Sequence, residues 1–98
     1  MLFITTYTTR GAPTEATEKR ILQLFQNWKP AAGQEIKGWW LTSGGLGVQI
    51  SEASSASVIM ESIAPWAVYF EFDVQPAIEI GQAAEQLGKA IAWRDSVK

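Results

Sequence analysis

The fold is decided by the central segment GWWLTSGGLGVQI, residues 38–50. Two adjacent tryptophans lie in one extended run, and Leu46, Val48 and Ile50 alternate through the next. A Ser-Gly-Gly turn separates the two runs, and glycine reaches positive φ without steric cost. The pattern predicts two antiparallel strands joined by a tight turn, in the middle of one small sheet.

One strand and one helix are predicted before this hairpin. Residues 2–9 are β-branched and aromatic, which favours a strand. Thr14 is a suitable helix N-cap, and the helix should end before Pro30, which disfavours helical geometry at the residue preceding it. The apolar positions of this helix recur at helical spacing; they are Ile21, Leu24, Phe25 and Trp28.

A helix, a strand and a last helix are predicted after the hairpin. Serines at 54 and 55 can cap a helix over residues 54–64, which Pro65 ends. Residues 66–75 alternate strictly, and Pro76 closes this strand. The apolar face of the strand should meet the helices; it consists of Val68, Phe70, Phe72 and Val74. Residues from about 77 to 94 have the spacing of a third amphipathic helix.

The predicted order is β-α-β-β-α-β with an added C-terminal helix. Right-handed crossovers convert this order into a four-stranded antiparallel sheet with two helices on one face. We therefore expect one α+β domain over residues 1–98, with its core in residues 1–76 and its C-terminal helix at about 77–94.

The charge pattern argues against nucleic acid and membrane as partners. The net charge is −2, and the eight Lys and Arg residues are scattered rather than gathered into a basic stripe. No apolar run is long enough to span a bilayer, and the N-terminal sequence lacks the features of a signal peptide. Together with the absence of cysteine, this favours a cytoplasmic location.

The absence of both Cys and His limits the chemistry available to the chain. Thiol nucleophiles, histidine acid–base catalysis and the usual zinc and haem ligands are all excluded. We expect no metal and no cofactor, so any catalysis would depend on carboxylates, tyrosines, hydroxyls or backbone groups.

One face of the predicted sheet is left without helices. We place there the side chains Phe3, Thr5, Tyr7, Trp39, Leu41, Gln49, Tyr69, Glu71 and Asp73. Several of these side chains are too apolar for full exposure, so we expect a homodimer to cover this face and to enclose a partly apolar cavity.

Two sets of candidate site residues follow from this placement. Glu71 and Asp73 lie two apart on one strand, about 7 Å along it, and could act as an acid–base pair or hold a cation; solvated or ion-paired carboxylates are the commoner alternative. Tyr7, Trp39 and Tyr69 could line an aromatic pocket for a planar ligand, with polar contacts from Gln49 and Glu71. Packing at a dimer interface is the alternative for these aromatic residues. Tyr7 is a further catalytic candidate.

Several stretches resemble a known protein family. These are MLFITTY at residues 1–7, GWW at 38–40, GLGVQISEA at 45–53, and the segment from Pro65-Trp66 through FEFDVQP at 70–76. Together they resemble the bacterial domain-of-unknown-function family numbered thirty-three-oh-three. The resemblance implies a ferredoxin-like dimeric α/β barrel, related in fold to muconolactone isomerases and antibiotic-biosynthesis-type monooxygenases. It supplies no catalytic residues.

Three functions remain open from the sequence. The first is a small homodimeric protein that binds a small apolar or aromatic molecule or acts as an accessory protein. The second is a cofactor-independent isomerase or monooxygenase, with Glu71 or Asp73 as base and Tyr7, Tyr69 or Gln49 as orienting donors. The third is a purely structural oligomer assembled through the C-terminal helix.

Overall fold

A computed structural model describes all residues, 1–98. Seven helices and strands follow one another along the chain: β1 Leu2–Thr9, α1 Glu15–Gln26, β2 Glu35–Leu41, β3 Gly47–Glu52, α2 Ala56–Ile63, β4 Phe70–Ala77 and α3 Ile80–Ser96. A 3₁₀ turn, Ala64–Trp66, follows α2 directly. None of the three α-helices combines the length and the apolar character needed to cross a membrane.

The four strands form one antiparallel sheet in the order β2-β3-β1-β4. This strand order, with crossover helices between β1 and β2 and between β3 and β4, is the ferredoxin-like α+β arrangement, so the predicted fold class is confirmed. The hairpin turn between β2 and β3 contains Gly45 at φ 88°, a backbone conformation that glycine adopts without strain.

Helix α1 begins and ends at polar side chains. The hydroxyl of Thr14 accepts a hydrogen bond from the backbone N–H of Thr17 at 3.2 Å, as an N-cap does. At the other end Asn27 Nδ2 donates to the carbonyl of Gln23 at 2.9 Å. The predicted start of this helix therefore depends on one local hydrogen bond.

Strand β4 differs from its predicted span. It begins at Phe70, because Ala64–Trp66 continues α2 as a 3₁₀ turn and the next three residues form a further turn. Val68, expected on the helix-facing side, is 70% exposed in that turn. The strand also runs through Pro76 to Ala77, since β4 is an edge strand and an edge tolerates a residue without N–H.

The predicted faces of β1, β2 and β3 are wrong. Cross-strand partners share a face, and Tyr7 pairs with Phe72 while Thr5 pairs with Val74. The face of β4 that contains Phe72 packs under the helices. The residues of β1 that pair with Phe72 and Val74, and the residues of β3 and β2 that pair with these in turn, therefore also face the helices. The residues expected on the uncovered face but found on the helix-facing side are Phe3, Thr5, Tyr7, Trp39, Leu41 and Gln49. Glu71 and Asp73 do lie on the uncovered face, opposite Thr8 and Thr6.

The fully buried apolar core is small and lies under α2. It consists of Phe3, Ala53 and Ile59, against which Val58, Ile63 and Val74 pack. Helix α1 has no buried residue, and it stands off the sheet over large aromatic side chains rather than contacting it closely. This separation creates the space in which the candidate site lies.

Helix α3 extends away from the rest of the domain. It has no buried residue and no extensive packing contact with another element, and Leu87 remains 56% exposed. The radius of gyration of the chain is 17.7 Å. A compact domain of this length has about 13 Å.

We predict that Gly47→Ala destabilises the domain. A β-carbon at Gly47 would overlap the ring of Tyr7, which lies across the backbone of β3 at this point. Overpacking of a buried site costs about 1–3 kcal/mol, and urea denaturation should show a loss of this size. Gly44→Ala is the matched control, because the nearest atom to its new methyl group is 3.9 Å away. Equal stability of the two variants would contradict the close approach of Tyr7 to β3.

Candidate ligand-binding pocket

A pocket of about 240 Å³ lies between α1 and the helix-facing side of the sheet. Ten of its thirteen lining residues are hydrophobic. The lining comes from α1 and Trp28 just after it, α2, all four strands and the 3₁₀ turn. The lining consists of Thr5, Tyr7, Ile21, Leu22, Phe25, Trp28, Trp39, Gln49, Ser62, Ile63, Trp66, Phe70 and Phe72. None of these side chains is a carboxylate, a lysine or an arginine.

Aromatic rings meet edge to face around this pocket. The Trp28 ring lies 5.8 Å from that of Trp39 and 5.9 Å from that of Trp66, at interplanar angles of 71° and 78°. Phe25 meets Trp39 at 5.6 Å. Such pairs contribute about 0.5–1.5 kcal/mol each beyond the area they bury. Phe25 is 47% and Trp39 36% exposed, so the pocket reaches the surface beside them.

Tyr7 and Trp39 are joined by a hydrogen bond across β3. The indole Nε1 of Trp39 donates to the hydroxyl of Tyr7 at 2.7 Å. The bond is possible because Gly47, the partner of Tyr7 on β3, has no side chain in the path of the phenol ring. Two of the aromatic walls are therefore held in fixed orientations by each other.

Polar side chains occupy the centre of the sheet, where a small domain usually places aliphatic ones. Thr5, Gln49 and Ser51 are 2%, 5% and 0% exposed on the helix-facing side. The amide Nε2 of Gln34 donates to Gln49 Oε1 at 3.0 Å and to Ser51 Oγ at 2.9 Å, and Ser51 Oγ donates to Gln49 Oε1 at 3.1 Å. A connected network of this kind fixes the side chains that form it.

The hydroxyl of Thr5 has no hydrogen-bond partner in the chain. A buried polar atom without a partner costs about 1–3 kcal/mol, so proteins rarely retain one without a reason. Thr5 lines the pocket and lies directly opposite Gln49 in the sheet. The unpaired hydroxyl thus marks the polar floor of an otherwise apolar pocket.

The predicted carboxylates lie elsewhere. Glu71 is paired with Arg10 at 3.2 Å, and both side chains are about half exposed or more. Asp73 Oδ2 accepts from Gln75 Nε2 at 3.0 Å. Both carboxylates border a shallow depression on the uncovered face, so the sheet itself separates them from the aromatic pocket. No group of three or more acidic side chains comes together where a metal ion could bind.

Three of the five predicted ligand-binding residues meet in the pocket, and two do not. Tyr7, Trp39 and Gln49 all line it. Glu71 is on the opposite face, and Tyr69 lies in the turn before β4, where its carbonyl accepts from the backbone N–H of Arg10 at 2.8 Å. Tyr7, Trp39 and Gln49 therefore lie together on the opposite side of the sheet from the predicted one, and their role in ligand binding stays a prediction.

Sequence reasoning missed most of the pocket wall. Phe25 and Trp28 belong to the apolar stripe predicted for α1, and Trp66 is the first residue of the strand predicted over residues 66–75. The signal that could have found them is size: a stripe containing both Phe and Trp is too bulky for a helix that packs closely on a sheet. Thr5 had a signal as well, because it lies between two aromatic residues on one face of β1.

Fold and pocket define a ferredoxin-like α+β protein with an aromatic pocket between helix and sheet. The chain belongs to the family described as Domain of unknown function (DUF3303), whose model matches residues 1–91. A search among curated proteins finds no match. A search among solved structures finds none either.

We predict that Thr5→Val stabilises the protein with its pocket empty. Valine has the shape of threonine and removes the unpaired buried hydroxyl, so the free energy of unfolding should rise by about 1 kcal/mol. For a domain of this size the melting temperature should rise by about 4–8 °C. Thr6→Val is the matched control for strand propensity, since Thr6 is the next residue of β1 and faces the other side. A melting temperature that falls for Thr5→Val and not for Thr6→Val would mean that the hydroxyl has a partner after all.

Proposed function

We propose that this protein is a homodimeric binding protein for a small, planar, mainly apolar molecule, which occupies the pocket under α1. The observation that carries the proposal is the aromatic wall around a cavity of about 240 Å³. Taking about 30 Å³ for each water molecule, the cavity has room for about eight waters or a two-ring compound. Flat apolar ligands are bound in just such clefts, with a few polar groups that set their orientation.

The binding role is favoured over catalysis by the location of the ionisable groups. Tyr7 is the one ionisable side chain in the pocket lining, and the carboxylates considered as bases border the other face of the sheet. An isomerase or monooxygenase acting in this pocket would have to remove a proton without a carboxylate. The enzyme alternative is therefore second to the binding role.

The homodimer is supported by the surface area of the single chain. A compact protein of 10.8 kDa has an accessible surface of about 5,500 Å², whereas this chain has 7177 Å². Covering the excess on two chains would bury roughly 3,200 Å², which is in the range of obligate homodimers.

Two regions supply this excess surface. On the uncovered face of the sheet, Trp40 is 57% and Ile4 37% exposed. On α3, Ile80 and Leu87 are 86% and 56% exposed. We assign both regions to contact with a second copy. An assembly larger than a dimer, held by α3, would instead support the structural-oligomer alternative.

Ligand binding can be tested with N-phenyl-1-naphthylamine, an uncharged probe that becomes fluorescent in apolar sites. We expect one probe to bind per chain and to quench tryptophan emission. Trp39→Ala should weaken binding about tenfold, equivalent to about 1.4 kcal/mol, because it removes one aromatic wall. Trp40→Ala is the matched control: it removes the neighbouring tryptophan, whose ring lies over Gly38 on the opposite face. Equal loss in both variants, or no binding at all, would refute the pocket.

The dimer can be tested by sedimentation, with an expected mass of twice 10.8 kDa. Ile4→Lys should raise the dimer dissociation constant at least about tenfold, because a two-fold interface receives the buried charge from both chains. Gln26→Lys, on exposed α1, adds the same charge away from the proposed contact. A monomeric native protein would end the dimer proposal and leave the pocket proposal untouched.

A further inference from the structure

The pocket under α1 offers no partner to a charged ligand. Its lining has no carboxylate, lysine or arginine, and its polar side chains are Thr5, Tyr7, Gln49 and Ser62, besides the indole N–H groups. Transfer of an unpaired charge into such surroundings is strongly unfavourable. The ligand that fits is therefore uncharged.

The orientation of Gln49 decides what the pocket floor presents. Its Oε1 accepts from Gln34 and from Ser51, so its Nε2 is the end left without a partner in the chain. If the oxygen and nitrogen of both side-chain amides, Gln34 and Gln49, were interchanged, the unpaired atom of Gln34 would be an NH₂ group with two donors instead of Oε1. An under-used carbonyl is the more readily tolerated of the two. The orientation that leaves the carbonyl of Gln34 unpaired is therefore the favoured one, and in it the N–H donors of Gln49 face the pocket.

The other polar groups around Gln49 can donate as well. The Tyr7 oxygen accepts from Trp39, which leaves its own proton without an acceptor in the chain. Ser62 Oγ accepts from the backbone N–H of Ala31 at 2.7 Å, so its proton is likewise unassigned. Thr5 Oγ1 also has no partner in the chain, but it is enclosed by protein atoms. No unused carbonyl or carboxylate side chain lines the pocket to balance these donors.

We propose that the ligand is an uncharged aromatic compound with a carbonyl oxygen, which accepts a hydrogen bond from Gln49 Nε2. This inference rests on the proposed binding function and adds the class of ligand to it. Thr5 and Gln49 are direct cross-strand partners, and the β-carbons of such partners lie about 4.5–5.5 Å apart. The Thr5 hydroxyl is enclosed by protein atoms, so a ligand oxygen at the pocket floor meets Gln49 Nε2, at an ordinary hydrogen-bond distance of about 2.7–3.1 Å. The rings of the ligand then extend toward Trp28, Trp39 and Phe25.

The test compares three naphthalene derivatives on the native protein by calorimetry. 2-Acetylnaphthalene has the carbonyl, 2-isopropylnaphthalene has the same shape without a polar atom, and 2-naphthoate has a negative charge. We expect the acetyl compound to bind about tenfold more tightly than the isopropyl compound, and the naphthoate to bind weakest. Equal affinity of the first two, or tightest binding of the naphthoate, would overturn the carbonyl inference and leave the binding function in place. Failure of all three to bind would overturn the binding function itself.

Two variants locate the donor. Gln49→Leu should lower the affinity for 2-acetylnaphthalene about tenfold and leave that for 2-isopropylnaphthalene unchanged. Gln49→Met, which keeps the length of the side chain, should have the same selective effect and replaces Gln49→Leu should that variant fail to fold. Gln26→Leu, on the exposed surface of α1 and outside the pocket lining, is the control and should change neither affinity. Loss of affinity for both ligands together would point to a damaged pocket and would count against the assigned donor.

Infrared spectroscopy gives a readout that packing alone does not move. The carbonyl stretch of bound 2-acetylnaphthalene should lie at lower frequency than in hexane, and the shift should shrink in Gln49→Leu. A bound carbonyl with the frequency it has in hexane would overturn the inference, whatever the affinity.

Discussion

The hydrogen-bonded register of β1 with its two neighbours is the constraint on which the rest of the structure depends. β1 is central, pairing with β3 on one side and β4 on the other. Side chains alternate between the two faces of a sheet. One residue pair between β1 and β3 and one between β1 and β4 therefore determine on which face each side chain of these three strands lies. The pairs of Thr5 with Gln49 and Val74 place a threonine and a glutamine where a small domain would be expected to bury aliphatic side chains. The pocket floor, the network around it and the small size of the apolar core all follow from this register.

Order and type of the elements could be predicted because each has a local cause. The Thr14 cap, the glycines of the hairpin and the prolines after α1 and α2 act within a few residues of the sequence. The facing of β4 was also predictable, because Phe70 and Phe72 alternate with two carboxylates. The start of β4 was not, since the 3₁₀ turn continues α2 where the alternation already begins.

The facing of β1 could not be predicted from β1 alone. Each of its faces has two threonines, beside Leu2 and Ile4 on one side and beside Phe3 and Tyr7 on the other, so neither side contrasts with the other. Only the pairing with β4 resolves the choice, and pairing is a property of the folded sheet. A wrong choice of face for β1 places Tyr7, Trp39 and Gln49 on the wrong side of the sheet. It still leaves the three on the same side as one another, because cross-strand partners share a face.

The pocket could not be predicted for a different reason. Its volume depends on how far bulky aromatic residues hold α1 from the sheet, and the periodicity of a sequence does not report that distance.

Both borders of the sheet are unsuited to adding another strand. At β4, Pro76 has no backbone N–H to offer an incoming chain. At β2, the pairing with β3 is irregular between Ile36 and Gly38, where Lys37 interrupts the ladder. Growth of the sheet into a continuous ribbon, which is the first step toward fibrils, is therefore blocked at each end. Contacts of this chain with other molecules are therefore directed to the faces of the sheet rather than to its edges.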